Sequence, residues 1–200
     1  MSSVTLSVND ARLALTYSTN SCGLIFNCNP RVYNIGNGGI VGCVGGYNVD
    51  TETLVTATIS NATNTGMVAR SSMSKKNGSM FIAGGIVGIL KGAGSSVSNS
   101  NNNAQVSVAG NNNSYFDANF SNTGVASGSF VCGGIVGYAA NSNTPIKDCT
   151  VVNSTISAGR DAGQIVGAAK EANVVNCVAT SVTVTANGEC TGANVRNEVI

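Results

Sequence analysis

A five-residue phrase recurs along this chain and constrains its fold more than any other feature. Gly38-Gly39-Ile40-Val41-Gly42, Gly84-Gly85-Ile86-Val87-Gly88 and Gly133-Gly134-Ile135-Val136-Gly137 are identical. Gly163-Gln164-Ile165-Val166-Gly167 differs at one position, and Gly192-Ala193-Asn194-Val195-Arg196 keeps only the outline. Such repetition marks a stacked repeat protein. The successive spacings are 46, 49, 30 and 29 residues. The short ones define a unit of about 30 residues, which suits one coil of a β-solenoid. The long ones are the same unit carrying insertions.

The two clean units align. Ile135-Val136-Gly137 leads through a polar turn to Ile146-Lys147-Asp148-Cys149 and then Ser154-Thr155-Ile156-Ser157. Ile165-Val166-Gly167 leads to Val174-Val175-Asn176-Cys177 and then Ser181-Val182-Thr183-Val184-Thr185. The unit that begins at Gly84 follows the pattern with Val97-Ser98-Asn99-Ser100 and Val106-Ser107-Val108. One such coil cannot bury its apolar side chains alone, but stacked coils bond strand to strand and fill a shared interior. Ile135, Ile146 and Ile156 are expected to form one continuous inward column. Gly38, Gly42, Gly84, Gly88, Gly133, Gly137, Gly163 and Gly167 are expected at corners, where glycine tolerates φ > 0 and lets backbone approach backbone.

The expected fold is therefore all-β: a parallel β-solenoid of about five coils forming a single domain over residues 1–200. Val4, Leu6 and Val8, then Leu13, Leu15 and Tyr17, alternate around Asn9-Asp10, so residues 1–21 read as a capping hairpin. Residues 22–190 read as the coils and 191–200 as a terminal capping coil. Two long insertions lie within 44–80 and 99–130. The second holds Tyr115, Phe116 and Phe120, a candidate interaction loop, weighed against simple packing of these rings onto the solenoid.

Ten Lys plus Arg against nine Asp plus Glu give a net charge of +1. Nothing there recruits nucleic acid or an anionic membrane surface. No apolar run of about 20 residues is present to span a bilayer. Met1 is not followed by a basic, then apolar, leader. With no His and no Cys-x-x-Cys pair, neither a zinc site nor a Cys–His or Ser–His nucleophile is expected, and no cofactor. The acids are scattered and none recurs at the repeat spacing: Asp148 aligns with Asn176, and Asp161 with Cys190. The paired carboxylates of a glycoside hydrolase are not expected. Thr183 and Thr185 alternate, as do Thr56 and Thr58, but threonines do not recur in every coil as a flat ice-binding face requires.

Of seven cysteines, Cys149 and Cys177 occupy matching places in successive coils. Their Cα atoms should lie about 5 Å apart, which admits either a disulfide or a column of thiols. Cys22 and Cys28 form a second candidate pair across a turn. Five Asn-x-Ser/Thr sequons begin at Asn61, Asn77, Asn112, Asn119 and Asn153; chance supplies such sequons readily in a chain this rich in Asn, Ser and Thr.

Gly-Gly-Ile-Val-Gly, a polar turn, then a β-branched residue, Asn or Asp, and Cys or Ser resembles the GLUG repeats of bacterial surface proteins and adhesins. The likeness runs over about residues 37–196 and is clearest in Gly133-Gly134-Ile135-Val136-Gly137-Tyr138 followed by Ile146-Lys147-Asp148-Cys149. It implies a β-solenoid stalk or adhesive segment of an exported protein and brings no catalytic residues. The expected role is thus a non-enzymatic structural or adhesive one in an extracellular surface assembly, with self, other surface proteins or glycans as partners. End-to-end self-association into a fibre fits open solenoid ends. The alternative is a carbohydrate-active enzyme or glycan-binding module on a β-helix. A surface location implies a leader removed or a longer parent chain; a cytoplasmic one stays open.

Overall fold

The computed structural model describes residues 12–16, 19–20, 24–26, 34–44, 46–48, 53–70, 80–91, 94–108, 130–159 and 161–186. Among these residues there is no helix; short strands stack in parallel, coil upon coil. Each coil visits five walls in turn. Wall a holds Arg12–Thr16, Thr53–Ser60, Ser96–Ser98 and the C-terminal ends of Val136–Lys147 and Val166–Val175. Wall b holds Thr19–Asn20, Thr63–Asn64, Asn101–Asn102, Thr150–Val152 and Val178–Thr180. Wall c holds Leu24–Phe26, Val68–Arg70, Val106–Val108, Thr155–Ala158 and Thr183–Ala186. Wall d holds Asn34–Gly38, Met80–Gly84, Phe130–Gly133 and Asp161–Gly163. Wall e holds Val41–Val44, Val87–Lys91 and the N-terminal ends of Val136–Lys147 and Val166–Val175, so walls e and a belong to one eight-stranded sheet.

The recurrent phrase makes the corner from wall d to wall e. The isoleucine carbonyl of each coil accepts two amides from the coil before it: Ile135 O takes Ile86 N–H and Val87 N–H, both at 3.0 Å, and Ile165 O takes Ile135 N–H at 2.9 Å and Val136 N–H at 3.0 Å. Ile86, Ile135 and Ile165 thereby stack in one buried cluster with Val97, Ile146 and Val151. The corner folds wall e back against wall d. One side of wall d (Ala83, Cys132, Ala162) packs on Val68, Val106 and Ile156 of wall c. The opposite side (Ile82, Val131) packs on Ile89, Tyr138 and Ala168 of wall e. Wall d is therefore a middle layer buried on both faces, which is why residues 82–90 and 131–139 are buried without a break. The single inward column expected of Ile135, Ile146 and Ile156 is divided: Ile135 and Ile146 belong to one buried cluster and Ile156 to another, with Val182 packed against both.

The corner glycines also need a different explanation. None of those in the described phrases has φ > 0; among the described residues the one glycine that does is Gly94, at 91°. Crowding selects them instead. A Cβ on Gly133 would collide with the Val136 carbonyl that folds back over it, and one on Gly134 with the Gln164 carbonyl of the next coil and with Val151 across the interior. Positive φ falls to polar residues at the other corners: Asn61, Asn99, Asp148 and Asn176 between walls a and b, Asn153 and Ser181 between walls b and c. Asn and Asp tolerate the left-handed region because their short polar side chains bond locally.

Wall b carries amides into the interior. Asn64 and Asn102 are fully buried, and Asn64 Nδ2 donates to Asn102 Oδ1 at 2.7 Å. Asn102 Nδ2 donates to the Ala104 carbonyl at 3.0 Å, and Asn64 Oδ1 accepts from Gly66 N–H at 3.2 Å. In the next two coils the same position is Val151 and Ala179. Asn102→Ala strands one end of this chain of bonds in a dry interior and is expected to cost about 2 kcal/mol, read as a lower denaturant midpoint with an unchanged slope.

Arg12–Thr16 and Thr19–Asn20 pair in parallel with the following coil, as strands of walls a and b. The hairpin partner expected at residues 4–8 and the terminal coil expected at 191–200 lie outside the described residues. The long insertions leave mainly from one connection, that between walls c and d, which takes residues 27–33, 71–79, 109–129 and 159–160 in successive coils. A further one, 45–52, joins walls e and a, where Gly46–Asn48 pairs antiparallel with Thr53–Val55.

Candidate functional site

Among the described residues no group of three or more His, Cys, Asp and Glu comes together, and Asp161, in register with Val131, is the one buried carboxylate. Asp148 meets Asn176, whose Nδ2 donates to Asp148 Oδ1 at 3.3 Å on the surface.

The most distinctive surface is the last described pass through walls a, b and c. Ile146, Cys149, Val151 and Ile156 are fully buried, whereas their neighbours in the next coil, Val174, Cys177, Ala179 and Val184, are half-buried. Outward positions turn apolar here too. Val175 replaces Lys147 and is 38 % exposed; Val178 replaces Thr150 and is 54 % exposed. Sequence reasoning passed over this edge. Valines at outward positions, where the preceding unit has Lys and Thr, were the signal available to find it.

Cys149 and Cys177 stand in successive coils, and both are free thiols. Their places are fixed by the parallel register of Thr150 on Val178 directly after them. One coil earlier the column continues as Ser100, whose hydroxyl donates to Ser98 O at 2.8 Å. Cys149 Sγ donates to Lys147 O at 3.2 Å, and Cys177 Sγ reaches down to Ile146 O at 3.3 Å, toward the coil that holds Cys149. Interaction with the neighbouring Cys177 sulfur, followed by burial, raises the Cys149 thiol well above the usual range, and the same interaction lowers the Cys177 thiol. Cys132, fully buried against the Ser157 carbonyl at 3.2 Å, is pushed up by desolvation. Cys22, Cys28, Tyr115, Phe116 and Phe120 lie outside the described residues.

The outward sides of walls b and c form a face of small, uncharged side chains. Thr63, Asn101 and Thr150 stand in register, with Thr150 Oγ1 donating to Asn101 Oδ1 at 2.8 Å. Ser107, Ser157 and Thr185 form a second row, and Thr155 sits on Thr183. Hydroxyls and amides therefore do recur from coil to coil, but as a mixture of Thr, Ser and Asn. No family model, no curated protein and no solved structure matches the chain.

Proposed function

We propose that this chain is a non-enzymatic structural or adhesive component of an extracellular surface assembly, in which copies stack end to end into a fibre. The observation that carries this reading is the half-exposed apolar edge of the last described coil. Its strands continue walls a, b and c, the walls whose first described strands are Arg12–Thr16, Thr19–Asn20 and Leu24–Phe26. A contact between two such different ends is heterologous and runs on as an open filament. Strand addition supplies the main-chain bonds, and Val174, Ala179 and Val184 supply apolar area. Gln164 narrows the docking edge. It carries a Cβ where Gly134 has none, so a carbonyl stacked on it as its own stacks on Gly134 would collide. The likeness to GLUG repeats supports an exported setting.

Sedimentation and negative-stain micrographs over a concentration series test this. Val178 donates its N–H to Cys149 O at 2.9 Å, toward the coil below, so strand alternation turns the N–H of Ala179 to the open side. The expected result is concentration-dependent filaments for the wild type and monomers for Ala179→Pro, with the fold intact. Wild-type protein that stays monomeric at every concentration overturns the reading. The uncharged hydroxyl and amide rows of walls b and c favour one second reading, a glycan-binding module, which a glycan array reads directly.

A further inference from the structure

We propose that Cys149 and Cys177 form a thiol–disulfide couple that clips the last described coil to the coil beneath it. The inference is independent of self-association and is testable on a monomer. Three observations carry it. The two residues occupy one column at the corners that lead directly into the paired parallel strands Thr150–Val152 and Val178–Thr180, whose spacing of about 4.8 Å lies inside the Cα separation a disulfide spans. The Cys177 thiol is directed down, onto Ile146 O of the coil holding Cys149. Their accessibility is unequal: Cys177, in the last described coil, is half-buried, whereas Cys149 is buried.

That inequality orders the chemistry. A small disulfide such as oxidised glutathione reaches only the outer sulfur. The Cys177 thiolate, favoured by its interaction with the neighbouring Cys149, attacks one glutathione sulfur. A Cys177–glutathione disulfide forms and one glutathione thiolate leaves, to be protonated by solvent. Cys149 then attacks the Cys177 sulfur, its S–Sγ bond forming as the Cys177–glutathione bond breaks, and its proton passes to the departing glutathione, which leaves as the second thiol. Two protein thiols are oxidised and one glutathione disulfide is reduced to two thiols. Cys132 has no neighbour in its column to react with, because the equivalent residues are Ala83 and Ala162.

The experiment uses the full chain, fully reduced, then incubated folded with oxidised glutathione and mapped by mass spectrometry after alkylation and digestion. The expected product is a linked peptide pair containing Cys149 and Cys177, formed with a rise in Tm of about 10 °C that dithiothreitol reverses. Cys149→Ser, a substitution the column already tolerates at Ser100, should stop at the mixed disulfide on Cys177. Cys177→Ser should leave Cys149 unmodified. Glutathione retained on Cys177 of the wild type, or a Cys149–Cys177 link that forms only in denaturant, overturns the proposal. So does a Tm that responds to oxidant equally in the Cys149→Ser/Cys177→Ser double variant.

Discussion

Gly134→Ala is expected to destabilise the protein by about 4 kcal/mol or more, among the largest effects of any single methyl group. Its Cβ would overlap the Gln164 backbone oxygen and lie 2.8 Å from Val151 Cγ2. Neither neighbour yields cheaply. The carbonyl belongs to the next coil's corner, and Val151 fills the interior from wall b. Gly85→Ala meets the same pair of obstacles, the Gly134 carbonyl and Asn102 Cγ, and should cost a similar amount. Gln164→Ala is the control, since that corner already accommodates a side chain, and should change stability by less than about 0.5 kcal/mol. Urea midpoints for the three variants check the order. Near-equal midpoints would mean that the corners are not stacked.

Ile135→Ala should cost about 3–4 kcal/mol. Ile135 is fully buried between Ile86 below and Ile165 above, against Val97, Ile146 and Val151 across the interior. The removed methylenes leave a void that a ladder of hydrogen-bonded corners cannot close, because its carbonyl holds two amides of the preceding coil in place. The matched truncation at the surface, Val178→Ala, removes a side chain that is 54 % exposed and should fall within about 0.5 kcal/mol of wild type. Thermal melts or denaturant curves separate the two.

The stacking was legible because the signal repeats. A corner that must bring carbonyls and α-carbons together at every layer needs glycine each time, and four copies betray it. The meeting of Asp148 with Asn176 followed from the same alignment. Wall d was not legible as a middle layer. Alternation reports a strand with one wet face, and a strand covered on both sides, such as Phe130–Gly133, gives no alternation to read. Asn101-Asn102-Asn103 looked like inserted loop because polarity is the usual mark of solvent. Asn102 is nevertheless interior, its amide satisfied by Asn64 and the Ala104 carbonyl. The role of Asn at left-handed corners was likewise hidden, since asparagine is common everywhere in this chain and only the dihedral angles single out Asn61, Asn99, Asn153 and Asn176.

The connection between walls c and d ranges from the two residues 159–160 to the 21 residues 109–129, while the strands on either side keep their register. The scaffold thus behaves as a rack with a row of sockets along one flank. Cargo of unrelated length can be plugged in at one level without retuning the levels above or below, and the distance between neighbouring sockets is set by the pitch of a single layer.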